Sequence, residues 1–115
     1  MPLEITQRES NGICILSLSG RLVLGEESSG FREAVENLLS SGNTRLVINL
    51  QHANYIDSAG LGALIEAFRT AKAQGGRLKL SNLGPKFKEA LQFAHLLKIF
   101  ETYPTEAAAL ESAWS

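Results

Sequence analysis

Apolar positions along this chain change their spacing several times, and each change marks a new element. In "LEITQRE", Leu3 and Ile5 alternate with polar neighbours, the period-two pattern of a half-buried strand. "SNG", Ser10 to Gly12, reads as a hairpin turn, because Asn-Gly accepts positive φ. "ICILSLSG" is a second strand, largely apolar on both faces, which suits the interior of a sheet. "GRLVLG" follows as an extended link.

The period then becomes helical. In "EESSGFREAVENLLSSG", Phe31, Ala34, Val35, Leu38 and Leu39 fall on one stripe. Glu26 and Glu27 complement the positive end of that helix, and Gly42 suits its C-terminal cap. "RLVINL" predicts a short apolar strand, Leu46 to Leu50. "NYIDSAGLGALIEAF" opens a second helix, with Leu61, Leu64, Ile65 and Phe68 on one face, which "QGG" at Gln74 to Gly76 ends. "RLKLSNL" alternates as a strand. "PKFKEALQFAHL" puts Phe87, Ala90, Leu91 and Ala94 on one helical face, with Pro85 near the start, where its missing N–H costs little. "KIFETY" fits a short last strand, and the alanine-rich "PTEAAALESAW" a closing helix.

A strand pair followed by alternating helix and strand, with short linkers, favours parallel pairing through right-handed crossovers. The expectation is one α/β domain over residues 1–115: a mixed sheet of about five strands with about four helices, mainly packed on one face.

Composition narrows the function. At 115 residues the chain is long enough for a real hydrophobic core. Eleven Lys and Arg against twelve Asp and Glu give a formal net charge of −1, which recruits no polyanion. Neither nucleic acid nor an anionic membrane is an expected partner. The apolar runs are too short to span a bilayer, and "MPLEITQRES" lacks an apolar signal-peptide core. The single cysteine, Cys14, lies in "ICILSL" and reads as a buried small hydrophobe. A reducing cytoplasm fits these features.

The candidate chemistry is concentrated in "YIDSAGLG", at a strand-to-helix junction. Function in open α/β sheets gathers outside the carboxyl ends of the strands, and Ser58 should sit there, beside unpaired N–H groups at a helix start. Three readings stay open. In the first, Asp57 or Ser58 caps the helix, worth ~1 kcal/mol, while Gly60 and Gly62 allow close approach to the sheet. In the second, Ser58 is a nucleophile. Against this, I-D-S-A-G lacks the first glycine of G-x-S-x-G. The only imidazoles are His52, a few residues upstream, and His95, late in the third helix. In the third, Ser58 carries a reversible phosphate, which a helix N-terminus tolerates and which a docked partner would feel. A phosphate-cradling loop is excluded, because no Lys or Arg follows until Arg69. One cysteine and two separated histidines offer no metal-ligand spacing, and no cofactor is expected.

"YIDSAGLGALI", Tyr55 to Ile65, resembles the most recognisable stretch of the STAS domain family, the sulfate transporter and anti-sigma factor antagonist fold. The likeness extends to the "GRL" after the second strand, "RLVINL", "QGGRLKLSNL" and "HLLKIFETYPTEAAAL", nearly the whole chain. It resembles the stand-alone bacterial antagonists and not the carboxy-terminal domains of anion transporters. The resemblance implies a non-enzymatic, cytoplasmic, partner-switching role. Such a protein binds an anti-sigma factor that is also a serine kinase, and so frees a sigma factor for transcription. The kinase phosphorylates the motif serine, here Ser58, and a serine phosphatase reverses it. Asp57, Ser58, Ala59, Gly60 and Leu61 would form the centre of the docking surface. Val23 and the loop Ser81 to Leu83, with Asn82 at its middle, would lie beside it. Leu61 faces the core in one reading and is a part-exposed anchor in the other.

Where many antagonists carry an acidic residue after the second strand, this chain has Val23, with Glu26 and Glu27 slightly later. Ala59, often serine or threonine in the family, leaves Ser58 as the motif's only hydroxyl. The implied oligomeric state is a monomer or weak homodimer. The resemblance also admits a STAS scaffold subunit of a sensing complex or of a lipid-transport ABC system, in which Ser58 is only a helix cap.

Overall fold

The hairpin turn and the alternating elements form as the apolar pattern dictates. The computed structural model describes residues 3–114. The strands are β1 (Glu4–Ser10), β2 (Ile13–Leu22), β3 (Arg45–Ile56), β4 (Arg77–Ser81) and β5 (Glu101–Tyr103). The helices are α1 (Glu26–Ser40), α2 (Ser58–Ala73), α3 (Pro85–Phe93) and α4 (Glu106–Glu111). One sheet holds the strands in the order β1-β2-β3-β4-β5. β1 pairs antiparallel with β2, and every later pair is parallel. Asn11 and Gly12, both at positive φ, make the β1–β2 turn.

Residues of β2, β3 and β4 alternate between two unequal faces. Leu16, Ile48 and Leu80 face the main core, where Phe31 of α1, Leu64 of α2 and Phe87 of α3 pack on them. Ile13, Ile15 and Val47 point the other way, against Ala109 of α4, with Leu110 and Trp114 alongside. Three helices therefore cover one face and the short α4 covers part of the other. Cys14 is buried in the main core, and that burial pushes its thiol pKa up, as suits an inert small hydrophobe.

Lys79 on the α4 side is only 1% exposed. Its ammonium donates to Ser112 Oγ at 2.7 Å and to the Ala113 carbonyl, pairs with Glu101 at 3.1 Å, and lies 4.3 Å from the centre of the Trp114 ring. These contacts satisfy a charge that burial would otherwise penalise. They also tie the segment after α4 to β4.

Two strands run further than their apolar patterns suggest. β2 continues through Gly20 and Arg21 to Leu22, so the first part of "GRLVLG" is strand and not link. β3 extends to Ile56, well past Leu50. Its partners on β2 shift register twice: Ser17 faces Asn49 but Ser19 faces His52, and Gly20 faces Ala53 but Arg21 faces Tyr55. Each shift places one extra residue on β3, as a bulge does. Period-two alternation is lost across "QHANYI" for that reason, and with it the sequence signal for a strand.

α3 stops at Phe93, and His95 lies just beyond it in the left-handed region, not within the helix. Among the described residues no helix is long and apolar enough to cross a membrane.

Candidate functional site

The extended end of β3 delivers Asp57 and Ser58 to the start of α2. Asp57 is the N-cap: its Oδ1 accepts from the Gly60 N–H at 2.8 Å. Its other oxygen, Oδ2, accepts from the Leu24 N–H at 3.0 Å, and its own N–H donates to the Leu22 carbonyl at 3.3 Å. One aspartate thus ties the turn after β2 to the first turn of α2. The Leu24 N–H, and next the Gly60 N–H, hold its carboxyl pKa below the usual range, because both bonds favour the ionised form.

Gly60 is buried beneath this clamp, where a Cβ would overlap the Leu22 carbonyl oxygen. Only glycine lets the helix come so close to the end of β2. Gly62 does not share the role, since a Cβ there would meet only the Arg32 guanidinium, at ordinary contact distance.

Ser58 is the first residue of α2, one position after the cap, and is exposed. Among the described residues its hydroxyl has no hydrogen-bond partner, so the capping role assigned to Ser58 in the scaffold reading belongs to Asp57. His52 is exposed on β3 opposite Ser19 and does not line the cleft beside Ser58. Neither histidine is hydrogen-bonded to Ser58 among the described residues.

The other sequence candidates divide. Leu61 fits both readings, because it is half-buried against the core and also lines the open cleft beside Ser58. Ala59 is half-buried in the same turn. Val23 lies between Leu22 and Leu24, the two residues that Asp57 holds, and its carbonyl accepts from both the N–H and the hydroxyl of Ser28. Asn82 is placed elsewhere. β4 pairs with β3 only as far as Ser81 opposite Asn49, so Asn82 leaves the sheet several residues before β3 reaches Asp57. It does not line the Ser58 cleft.

α3 takes the place beside Ser58 that the sequence reading assigned to the Asn82 loop. The cleft, about 530 Å³, is walled on one side by Tyr55, Ile56 and Leu61 and on the other by Lys86, Glu89 and Phe93. Tyr55 also carries the Arg21 guanidinium, 4.9 Å from its ring centre. Phe93 is 89% exposed. One signal for it was present in the sequence: Phe93 falls off the α3 stripe of Phe87, Ala90, Leu91 and Ala94, so an aromatic ring had to face outward.

The model of the family described as "STAS domain" matches residues 4–109. The anti-sigma F factor antagonist of Paenibacillus polymyxa is 26% identical over 110 residues, covering 96% of this chain and 94% of that protein. An anti-sigma factor antagonist from Mycobacterium paratuberculosis is similar in structure, with a TM-score of 0.81 at 22% identity, over 94% of this chain and 91% of that one. The Bacillus cell fate determinant SpoIIAA in its phosphorylated form has a TM-score of 0.73 at 22% identity, over 94% and 97% of the two chains. The two structural likenesses are of fold. Since the matched span runs from the first residue of β1 into α4, through the Asp57 clamp and the turn that bears Ser58, the chain belongs to the STAS domain family.

Proposed function

We propose that this protein is an anti-sigma factor antagonist: it binds an anti-sigma factor through the surface around Ser58, and phosphorylation of Ser58 switches that binding off. The observation that carries the reading is the division of labour at the start of α2. Asp57 does the capping, which leaves the neighbouring Ser58 hydroxyl exposed and, among the described residues, without a partner. A phosphate there adds a charge of about −2 at a helix N-terminus, where the carrier protein tolerates it. No residue of the first turn of α2 is acidic, and the one adjacent carboxylate, Asp57, is already held by the Leu24 and Gly60 N–H groups. The same charge is costly to a partner that covers the site, because desolvated and unpaired charge is disfavoured by several kcal/mol. Fold and partner affinity are thereby uncoupled.

The relative from Paenibacillus polymyxa bears the name of an anti-sigma F factor antagonist, and SpoIIAA, of similar fold, exists in a phosphorylated form. The anti-sigma partner supplies the kinase activity, and a serine phosphatase resets the switch. Intact-mass analysis of protein from its native host should find a single phosphate, absent from Ser58→Ala. By titration calorimetry Ser58→Glu should bind the anti-sigma factor at least ~100-fold more weakly than wild type, equivalent to ~3 kcal/mol. Equal affinity of Ser58→Glu and wild type would refute the electrostatic switch.

A further inference from the structure

We infer that the free edge of β3 and the adjoining flank of α3 form a groove that takes an extended polypeptide segment as an added strand. β3 has neighbours on both sides only as far as Asn49, where its pairing with β4 ends. Beyond that point it continues to Ile56 with β2 alone. Within this second half, the Gln51 N–H is taken by the Asn49 side chain at 2.9 Å. Among the described residues no backbone hydrogen bond reaches His52–Ile56 from the side that β4 has left. An unpaired strand edge is a template for another strand, and proteins normally blunt or cover it.

The space beside this edge is open. One cleft of about 380 Å³ lies between Ala53 and Asn54 on the strand and Gly84, Pro85 and Phe87 at the start of α3. The larger cleft beside Ser58 continues it between Tyr55 and Ile56 and the rest of α3. Strand and helix advance together, residues 53 to 58 facing residues 84 to 94, so the two clefts make one groove that ends at Ser58.

The walls specify the occupant. His52 to Ile56 span roughly 16 Å at ~3.3 Å per residue, which accommodates four or five residues of an extended segment. Exposed Tyr55 and Phe93 supply apolar contacts for alternate side chains. Lys86 lines both clefts, is the only cation in either, and has no ion-pair partner among the described residues. Asp57 and Glu89 line the larger cleft as well, but in the smaller one Lys86 is the sole charged residue, and a carboxylate on the segment complements it there. The occupant is therefore a short, extended, apolar segment of a partner protein that carries one acidic side chain. This groove does not depend on phosphorylation of Ser58, so either proposal can fail without the other.

The probe is a pool of phage-displayed random twelve-residue peptides, selected on the full chain and then resynthesised. Selected sequences should combine alternating apolar residues with an Asp or Glu. Fluorescence polarisation should show at least tenfold weaker binding to Lys86→Glu and to Phe93→Ala, both changes at exposed side chains that leave the fold intact. Replacing the acidic peptide residue by Lys should restore binding to Lys86→Glu. Amide hydrogen exchange should slow within His52–Ile56 when the peptide is bound. Failure to enrich any sequence, unchanged affinity for Lys86→Glu, or protection confined to the β1 or β5 edge would overturn the inference.

Discussion

From Leu46 to Asn49, β3 is buried and lies between two strands; from Gln51 to Ile56 the same strand is mostly exposed and has one neighbour. The first half is apolar but for Asn49 and lies on a regular ladder. The second carries two register shifts, mixes polar residues with apolar ones, and ends in the Asp57 clamp. Rigidity and access are thus separated along one strand. The buried half anchors the sheet, and the irregular half presents a short loop-like segment that the anchor holds in place. The proposed groove needs this arrangement, because a fully paired strand offers no free backbone edge.

The strongest way to break the comparison is to injure the anchoring half. Ile48→Ala removes a fully buried side chain from the main core and should cost about 2–5 kcal/mol in chemical denaturation. A loss below ~1 kcal/mol would show that this half is not the anchor.

Gly60→Ala strikes the point where the presenting half is closed against β2. Its Cβ meets the Leu22 carbonyl, a backbone atom that cannot swing away, so a loss of about 1–3 kcal/mol is expected in the same assay. The variant should also lose partner affinity, since the first turn of α2 must move.

Removal of the Asp57 carboxylate should have a smaller effect. Asp57→Ala gives up the helix cap, worth ~1 kcal/mol, and should speed exchange of the Leu24 amide, which loses its acceptor. Because folding lowers this carboxyl's pKa, its contribution is fully present above the unfolded value of about 3.9 and disappears as pH falls through the lower folded value. Stability measured from pH 6 down to pH 2 should decline less in Asp57→Asn than in wild type. Parallel curves would separate the clamp from the acid response.

Ser58→Ala sharpens the comparison by its lack of effect. The hydroxyl is exposed and does not cap, so thermal melts should agree with wild type to within ~0.5 kcal/mol. Partner binding should persist and phosphate incorporation should vanish. A stability loss near that of Asp57→Ala would return the capping role to the serine.

These effects differ in how far the sequence foretells them. The helical stripe of α1, the Asn-Gly turn and the apolar core of β3 were legible, because each rests on local spacing that one-sided burial imposes. On α2 the fully buried line is Gly60, Ala63, Leu64, Ala67 and Ala71, and Leu61, Ile65 and Phe68 of the expected stripe are only half-buried. The position of the motif at a helix start was legible too, from the residue types that cap and from the glycines that follow. The family resemblance at Tyr55 to Ile65 added the family to which that start belongs.

Contacts between distant segments required the tertiary structure. Which of two adjacent oxygen-bearing residues caps α2 depends on the Leu24 N–H, 33 positions away in the chain, reaching the same aspartate. The far half of β3 is invisible to periodicity because its extra residues are defined only against β2. That α3, not the loop around Asn82, flanks Ser58 follows from β4 ending opposite Asn49 while β3 runs on. Lys79 looks like an ordinary strand lysine until the turn after α4 folds over it. The sequence by itself determined the elements and the residue types at the site, since those are set within one or two turns of chain. The tertiary structure alone decided contacts between elements, exposure and the shape of the groove, because these depend on where separate elements stop relative to one another.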